Sequence, residues 1–286
     1  MAHNTPEEKS VNRRNLNGKV VLISGAAGGL GTALCLRYAA AGSLIAAMDL
    51  DAVRLNTLVL ALEQAGARAL ALPGDVTNPA NCQATVATTI AHFGTLDGLI
   101  NNAGISHRSL LRDTQPEVIR SVMAVNFFGA LNLTHAALPH ITAQRGFIAS
   151  ISSVAGFSPL VGRTGYAASK HALHGFFDSL RSEVEDAGVS VTLVCPSFIR
   201  TGIGAAALDG AGGSVAGRAR LTSGGESTAE DIAERIFVAV AEQRRLLLPD
   251  KTSRLAWWIS RVAPGWYADT MKRRLGAEFQ GLPQWH

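Results

Sequence analysis

The sequence predicts a single doubly wound α/β domain, with a seven-stranded parallel sheet and helices on both faces. Its 286 residues fit one large α/β domain with short appendages. Short runs of apolar and β-branched residues alternate with longer stretches at helical spacing, which is typical of strand-helix-strand units. The predicted strands are residues 19–24, 44–49, 68–72, 96–101, 146–151, 189–194 and 244–248.

Capping residues mark the starts of several predicted helices. Thr77, Asn78 and Pro79 supply a cap followed by proline in the first turn, and residues 228–231 (Thr-Ala-Glu-Asp) form a capping box. Because crossovers between parallel strands are right-handed, the helices cover both faces of the sheet. They are predicted to begin near Gly29, Ala52, Asn78, Pro116, Gly165 and Thr228.

The body of the domain is predicted at residues 18–249, between two appendages. Residues 1–17 have no apolar stretch typical of a signal peptide, so we expect a disordered arm. Residues 202–225 are rich in glycine and too long for an ordinary connection, which predicts a substrate lid. Residues 250–286 form a basic C-terminal extension that contains all four tryptophans.

The composition excludes several classes of protein. With 47% hydrophobic and 17% charged residues, the chain is neither disordered nor collagen-like. The three cysteines are far apart and form no C-x-x-C pair, which disfavours a disulfide framework or a zinc site and indicates a reducing, cytoplasmic setting. His171 and His174 have no third ligand nearby, so no metal site is expected. Residues 121–144, the longest stretch without a charged residue, are too polar to lie in lipid.

A glycine-rich turn follows the first predicted strand and precedes the first helix. Its spacing, G-x-x-x-G-x-G, leaves backbone N–H groups accessible to a pyrophosphate, and the helix N-terminus favours negative charge. A plain strand-to-helix turn could contain the same glycines, so the motif alone is not decisive. The candidate cofactor residues here are Ser24, Gly25, Ala27, Gly28, Gly29, Leu30 and Gly31.

Acidic residues follow the next two strands. Asp49 closes the second predicted strand, where a carboxylate binds the ribose hydroxyls of a dinucleotide. It would repel a 2′-phosphate, and neither the glycine turn nor the next candidate residue, Leu50, offers a cation, so NAD is favoured over NADP. Asp49 could instead cap the next helix, a role that also suits Asp51. Asp75 and Val76 are candidates to flank the adenine, with a turn aspartate as the alternative.

Tyr166 and Lys170 form the centre of the predicted catalytic site, and Ser153 precedes them. Residues four apart lie on one helical face, so the ammonium can approach the phenol. A phenol titrates at about pH 10, and acid–base catalysis near neutrality needs a positive charge that stabilises its anion. Lys170 would supply this charge. An exposed Tyr/Lys pair without a catalytic role has the same spacing.

In this order, the motifs resemble those of the short-chain dehydrogenase/reductase family, over residues 18–248. The glycine turn resembles that family's cofactor turn, with Ser24 where threonine is more common. Residues 101–104 (Asn-Asn-Ala-Gly) match the N-N-A-G motif, and Asn126 matches the catalytic asparagine. Of two adjacent serines, Ser153 has the offset from Tyr166 that suits the family pattern.

The resemblance implies a Rossmann-type fold with cofactor contacts beyond the glycine turn. Residues 196–201 resemble the P-G-x-x-x-T segment that lines the nicotinamide, with Ser197 in place of the glycine. The helices that begin near Pro116 and Gly165 commonly pack between subunits in this family, which implies a homodimer or homotetramer. The further cofactor residues are Asn102, Ala103, Gly104, Tyr166, Lys170, Pro196, Ser197, Ile199 and Thr201.

The implied activity is NAD(H)-dependent interconversion of a secondary alcohol and a ketone. Hydride passes between the substrate carbon and the nicotinamide, while Tyr166 exchanges the hydroxyl proton as general acid or base. Ser153 would hydrogen-bond the substrate oxygen, and Lys170 would lower the tyrosine pKa and hold the nicotinamide ribose. Asn126 would fix a water in the proton relay. Val154 and nearby apolar residues predict an apolar substrate, such as a steroid, a lipid-derived or an aryl compound.

The C-terminal extension allows two interpretations. From Lys251 onward, six Lys and Arg residues stand against two acidic ones, so this segment carries the +4 charge of the whole chain. Its basic residues and tryptophans could lie on a lipid surface. We favour packing of the aromatic residues over the substrate cleft or against another subunit, with the cations in solvent. Residues 18–249 contain no basic stripe typical of a nucleic-acid-binding surface. Two alternative functions are an inactive NAD-binding protein and a membrane-peripheral protein.

Overall fold

Seven parallel strands form one sheet at the centre of the molecule. A computed structural model describes residues 13–200, 206–215 and 226–276. The strands lie in the order β3-β2-β1-β4-β5-β6-β7, which confirms the predicted doubly wound α/β fold. Every strand boundary lies within two residues of its prediction. The strands are β1 Val20–Ser24, β2 Leu44–Asp49, β3 Ala69–Pro73, β4 Gly98–Asn101, β5 Phe147–Ile151, β6 Ser190–Val194 and β7 Leu246–Leu247.

Helices cover both faces of the sheet, and each face has its own hydrophobic core. Val21 and Ile23 of β1 join the core beneath α1, α2 and α7, whereas Val20 and Leu22 join the core beneath α3, α5 and α6. Because alternate side chains point to opposite covered faces, all of β1 is buried. The helices are α1 Gly29–Ala40, α2 Ala52–Gln64, α3 Pro79–Phe93, α4 Pro116–Met123, α5 Gly129–Ala143, α6 Thr164–Val184, α7 Ala229–Ala241, α8 Lys251–Val262 and α9 Pro264–Gly276.

The capping residues lie where the sequence predicts them. Asn78 accepts hydrogen bonds from the first-turn N–H groups of α3, which has proline at its first position. The Thr228 hydroxyl accepts a hydrogen bond from the N–H of Asp231 at 3.1 Å. These side chains satisfy backbone donors that have no partner within the helix, so they determine where α3 and α7 begin.

The N-terminal arm is shorter than the predicted residues 1–17. Residues 1–12 lie outside the described part, but the next five residues pack on the domain. The Arg14 guanidinium donates to the Arg145 carbonyl at 2.7 Å, and the Arg14 N–H donates to the Ala241 carbonyl at 2.7 Å. Leu16 is 3% exposed and belongs to a hydrophobic core. A single buried leucine has no periodicity, so sequence patterning does not detect this contact.

The C-terminal extension contains one more helix than the sequence analysis predicts. The residue pair Pro264-Gly265 was expected to stop the helix, and α8 does end at Val262. However, Pro264 is also the first residue of α9, because proline fits the first turn of a helix as well as the end of one. Tyr267, Met271 and Leu275 then recur every four residues and are buried.

One helical stretch among the described residues is long and apolar enough to span a membrane. It covers Pro116–Ala143 and has a mean hydropathy of 1.2 over its most apolar window. In the structure this stretch consists of α4, a π-helix at Ala124–Phe128 and α5. Leu133 and Ile141 are fully buried in the core beneath α5. Packing within the domain thus accounts for part of its apolar character, since 39% of the most apolar window is buried.

His107 anchors the first turn of α6. Its side chain is fully buried, and Nε2 accepts a hydrogen bond from the Gly165 N–H at 2.9 Å. This bond requires the neutral ring with its proton on Nδ1, which lies 3.4 Å from the Ser109 hydroxyl. Burial, together with the nearby charge of Arg163, lowers the pKa of His107 to about 4. The neutral imidazole is therefore part of the folded structure.

We predict that His107 makes the fold sensitive to mild acid. Its pKa is about 4 when folded and 6.5 ordinarily, so its contribution is complete above pH 6.5 and is lost as the pH falls towards 4. The loss should be about 2–3 kcal/mol of unfolding free energy in urea titrations.

The His107→Gln variant is the matched control, because its amide oxygen can replace Nε2 as acceptor but does not titrate. The free energy of unfolding of this variant should fall less between pH 6.5 and 4 than that of the wild type. Parallel losses in the two proteins would contradict the assignment to His107.

Candidate active site

A cleft of about 570 Å³ opens at the carboxyl ends of the strands. β1 lies between β2 and β4, so the strand order reverses here, and ligands bind at such switch points in α/β sheets. The predicted residues that line this cleft are Gly25, Gly28, Gly29, Leu30, Gly31, Asp49, Leu50, Asp75, Val76, Asn102, Ala103, Gly104, Ser153, Tyr166, Lys170, Pro196, Ser197 and Ile199.

The remaining predicted residues lie elsewhere. Ser24 is buried behind the cleft, where its hydroxyl accepts hydrogen bonds from the N–H groups of Asn102 and Ala103, both at 3.1 Å. Ala27 is buried, and Val154 lines a neighbouring cavity. Thr201 lies outside the described residues. Ser24 therefore connects the glycine turn to the loop after β4 through hydrogen bonds behind the cleft.

Close packing explains two of the glycines in the turn. Gly25 has φ +63°, and a Cβ there would lie 2.8 Å from the Cα of Ala103. A Cβ at Gly31 would collide with the carbonyl oxygen of Gly25. At Gly28, by contrast, a Cβ would meet only the Gly25 oxygen, at 3.3 Å. Gly28, the N-cap residue of α1, lines the cleft.

Asp49 holds the glycine turn in addition to facing the cleft. Its carboxylate accepts hydrogen bonds from the N–H of Ala27 at 2.9 Å and from the N–H of Asp51 at 3.0 Å. Asp51, rather than Asp49, caps α2 by accepting from the N–H of Arg54. Arg54 also lines the cleft, so this end contains a cation that the sequence analysis missed. Its place in the first turn of α2, five residues after Asp49, would have indicated that Arg54 can reach the cleft.

Asp75 lines the cleft but also stabilises a turn. Its carboxylate accepts hydrogen bonds from the N–H and the hydroxyl of Thr77, both at 2.8 Å. This is the geometry of an Asx turn, which precedes α3. The turn role considered from the sequence is thus present, together with exposure to the cleft at Asp75 and Val76.

Lys170 is buried beside Tyr166 on α6. Its side chain is 4% exposed, and the Nζ atom lies 5.6 Å from the centroid of the tyrosine ring. Nζ donates a hydrogen bond to the carbonyl oxygen of Ile151 at 2.8 Å. Burial lowers the pKa of Lys170 to about 8. A solvent-exposed Tyr/Lys pair, the alternative considered from the sequence, does not match this environment.

Ser153, at the carboxyl end of β5, faces the cleft from the side opposite the glycine turn. Its hydroxyl accepts a hydrogen bond from the N–H of Ala155 at 3.2 Å. Ser152 also borders the cleft, but its hydroxyl donates to the main-chain carbonyl of Lys170 at 3.2 Å. Ser153 is therefore better placed to bind a substrate oxygen.

Asn126 lies in the π-helix between α4 and α5. Such helices are frequent at functional sites. Its side-chain oxygen accepts from the N–H of Ile105 at 2.8 Å, and its amide group donates to the carbonyl of Ile105 and to the Ser169 hydroxyl. Both amide hydrogens are thus engaged. The side chain joins the loop after β4 to α6, and the water contact of Asn126 stays a prediction.

A carboxylate of the C-terminal extension binds the loop that follows β6. Ser197 donates its N–H to Asp250 at 3.0 Å and its hydroxyl to the same carboxylate at 2.8 Å. Asp250 also caps α8 by accepting from the N–H of Ser253 at 2.7 Å. The serine at the position of the family's glycine therefore connects the cleft to the extension. The bond between Ser197 and Asp250 was not predicted, because these residues are 53 positions apart in the sequence.

A second cavity of about 160 Å³ adjoins the cleft and shares Ser153 and Leu160 with it. It lies beneath α8 and α9, where the hydroxyl oxygens of Ser158 and Tyr267 lie 3.3 Å apart. Trp257 packs edge-on against Phe157, with ring centroids 4.9 Å apart. Part of the extension thus packs beside the cleft, as the favoured interpretation predicts.

The described part of the predicted lid, residues 206–215, packs on the loop after β4. Leu208 donates its N–H to the Ser106 carbonyl and accepts from the N–H of Arg108, both at 2.8 Å. Ala207 of this segment lines the cleft. The other lid residues, 202–205 and 216–225, lie outside the described part of the chain.

The two histidines weighed as metal ligands have other contacts. Nδ1 of His171 lies 2.9 Å from the Ala167 carbonyl, and Nε2 of His174 lies 3.4 Å from the sulfur of Cys195. Within the described residues, no group of three or more His, Cys, Asp or Glu side chains is arranged to hold a metal ion.

Comparison with known proteins identifies relatives of the whole domain. A protein named Dehydrogenase/reductase SDR family protein 7-like from Anopheles gambiae is 38% identical over 270 residues, which cover 92% of this chain and 85% of that protein. Dehydrogenase/reductase SDR family member 7B from Mus musculus is 35% identical over 271 residues, with 92% and 83% covered. The 11-beta-hydroxysteroid dehydrogenase-like 2 protein from Arabidopsis thaliana is 38% identical over 195 residues, with 68% and 63% covered.

A solved structure shows the same architecture. The crystal structure of a short chain dehydrogenase/reductase SDR from Burkholderia phymatum in complex with NAD superposes with a TM-score of 0.76 at 28% identity, covering 87% of this chain and 96% of that one. The sequence model of the short chain dehydrogenase family matches residues 19–211, most of the domain described above. The chain therefore belongs to the short-chain dehydrogenase/reductase family of oxidoreductases.

Proposed function

We propose that the protein is an NAD(H)-dependent oxidoreductase that interconverts a secondary alcohol and a ketone on an apolar substrate. The observation that carries this proposal is the burial of the Lys170 ammonium beside Tyr166, in a cleft that also contains Ser153. A buried cation next to a phenol has a direct chemical use, because it stabilises the phenolate.

The cleft fits a dinucleotide at its other end. Gly28 lines the cleft at the N-terminus of α1, which suits a pyrophosphate, and the Asp49 carboxylate lies where it can accept from ribose hydroxyls. When bound, NAD supplies the acceptor for hydride, and NADH supplies the donor. The related structure from Burkholderia phymatum contains NAD, which supports this assignment.

The proton moves through residues of α6. In reduction, Tyr166 would donate its phenolic proton to the substrate oxygen, and in oxidation the phenolate would accept it. Lys170 would stabilise the phenolate, while its hydrogen bond to Ile151 holds the ammonium in place. The Ser153 hydroxyl would bind the same substrate oxygen and stabilise its developing charge.

Apolar side chains surround the position of the substrate. Leu160 and Phe198 line both the cleft and the second cavity, and Val154 lines the cavity. Such walls favour a hydrophobic ring system or chain next to the reacting oxygen. A steroid, lipid-derived or aryl ketone fits this description, and the Arabidopsis relative is named after hydroxysteroid dehydrogenases.

The same proposal includes a homo-oligomeric state and a cytoplasmic location. Phe128, at the end of the π-helix that follows α4, is 50% exposed, and an exposed aromatic side chain there is consistent with a homodimer or homotetramer. The three cysteines are free and buried, which is consistent with a cytoplasmic protein. The inactive NAD-binding alternative would use Lys170 for the nicotinamide ribose, but it gives no use to the position of this ammonium beside Tyr166.

Replacing Tyr166 with phenylalanine tests the proposed activity. We expect the wild type to oxidise NADH with at least one ketone from a panel of steroid, lipid-derived and aryl compounds. The Tyr166→Phe variant should lose about 100-fold or more of kcat while its NADH affinity, measured by fluorescence, stays unchanged.

Tyr38→Phe is the matched control. The Tyr38 hydroxyl is buried and has no hydrogen-bond partner among the described residues, so its removal should leave turnover unchanged. Activity retained in Tyr166→Phe, or lost equally in both variants, would contradict the role of Tyr166.

Asp49 should determine the choice of cofactor. The Asp49→Ser variant removes the repulsion of a 2′-phosphate and leaves Arg54 to attract it, so kcat/KM for NADPH should rise by about tenfold or more while that for NADH falls. Adding Arg54→Gln should reverse the gain with NADPH. A wild type that already prefers NADPH would show that Asp49 does not bind the ribose.

Lys170 should reduce stability while it supports turnover. Its pKa is about 8 in the fold against 10.5 ordinarily, so burial disfavours the charged form, and stability rises as the pH increases from 8 to 10.5. The inactive Lys170→Met variant should therefore match or exceed the wild type in unfolding free energy at pH 7. Its advantage should shrink by about 1 kcal/mol or more at pH 9.5. A pH-independent difference would disprove this assignment.

A further inference from the structure

Four large apolar side chains of the C-terminal extension lie exposed on its surface. Leu255, Trp258 and Val262 of α8 are 61%, 68% and 77% exposed, and Trp266 at the start of α9 is 61% exposed. They are four of the ten exposed large hydrophobic residues in the described part of the chain, yet they lie within twelve residues of one another. Single exposed hydrophobic residues are ordinary, but a cluster indicates an interaction surface.

Cations share this surface. Lys251, Arg254 and Arg261 are exposed, and their spacing from Leu255, Trp258 and Val262 places all six residues on about one third of the circumference of α8. Lys272 and Arg273 add exposed cations on α9. We call these α8 residues, together with Trp266, the outer face.

Few acidic groups oppose these cations. The Asp250 carboxylate is occupied by Ser197 and Ser253. Asp269 is the one acidic residue within the described helices α8 and α9. The outer face is therefore both apolar and strongly positive.

The opposite side of α8 is firmly packed, so the exposure of the outer face does not come from a loosely attached helix. Ser253 and Ala256 are buried, and Ala256 packs with Tyr267 and Met271 against the segment after Ser153. Asp250 and Ser253 cap each other at the start of α8. The outer face is thus a rigid, preformed surface.

The outer face also borders the second cavity. Leu255 and Trp266 both line that cavity while they remain more than half exposed. Residues that line a cavity and are also exposed to solvent lie at its opening rather than inside a closed pocket. The apolar surface is therefore continuous with an apolar interior.

We propose that the outer face docks on the surface of an anionic phospholipid bilayer. Trp258, Trp266, Leu255 and Val262 enter the boundary between headgroups and acyl chains, where tryptophan is favoured. The flanking lysines and arginines meet the lipid phosphates. Docking in this orientation directs the mouth of the second cavity towards the bilayer.

Charge complementarity selects lipid over a second copy of the chain. A two-fold symmetric pair would place the same surface on both sides of the interface, so the cations around Trp258 would face each other. Like charges in an interface from which water is excluded oppose association. An anionic bilayer neutralises these cations and covers the apolar side chains.

The test is sedimentation of the full chain with sucrose-loaded vesicles, which requires neither substrate nor cofactor. Vesicles of phosphatidylcholine with about a quarter phosphatidylserine should bind the protein at least about tenfold more tightly than phosphatidylcholine alone. High salt should weaken the binding, because it screens the cations. The double variant Trp258→Ser/Trp266→Ser should lose about tenfold or more of this affinity.

Leu60→Ser is the matched control, because Leu60 is 57% exposed on α2, away from the extension. It should bind the anionic vesicles as the wild type does, and circular dichroism should show that all variants are folded. Lack of binding of the wild type to anionic vesicles, or equal losses in the control and the double variant, would overturn the proposal. So would analytical ultracentrifugation that shows a dimer for the wild type and a monomer for the double variant, since the outer face would then be a subunit interface.

Discussion

The burial of one positive charge, the ammonium of Lys170, is the constraint on which the active site depends. Taking an ammonium out of water is costly unless acceptors surround it, and here the acceptor is the carbonyl of Ile151 at the end of β5. The hydrogen bond from Lys170 to Ile151 forms only if α6 keeps its position relative to β5. His107 secures the first turn of that helix, and Asn126 binds Ser169 one residue before the lysine. These polar groups thus hold α6, the helix that carries Tyr166 and Lys170, in place.

The same cleft is connected to the C-terminal extension through the carboxylate of Asp250. This group binds Ser197 in the cofactor loop and begins α8, so the loop and the helix share one set of hydrogen bonds. A glycine at position 197 would keep the N–H donor but lose the hydroxyl. The extension therefore packs beside the cleft, and its inner and outer surfaces differ in exposure. The inner surface covers the second cavity, while the outer face presents tryptophans and cations to the surroundings.

Local signals made the sheet and most helices predictable. Apolar runs located all seven strands, and caps such as Asn78 located the helix starts, because both depend on residues close together in the chain. Two of the failures share one cause. Leu16 and the bond between Ser197 and Asp250, 53 residues apart, depend on contacts between distant segments. Pro264 shows a second difficulty, since proline suits both the end of one helix and the first turn of the next.

By itself, the sequence determined the kind of chemistry: the glycine spacing, the residues around Asn102 and the pair Tyr166 and Lys170 identify the family, because motif spacing is a property of the chain. Only the tertiary structure decided how each group is used. It showed that Lys170 is buried, that Asp51 rather than Asp49 caps α2, and that Trp257 packs inward whereas Trp258 is exposed. Burial and choice of partner depend on which segments the parallel sheet brings together at the carboxyl ends of its strands, and residue spacing does not contain that information.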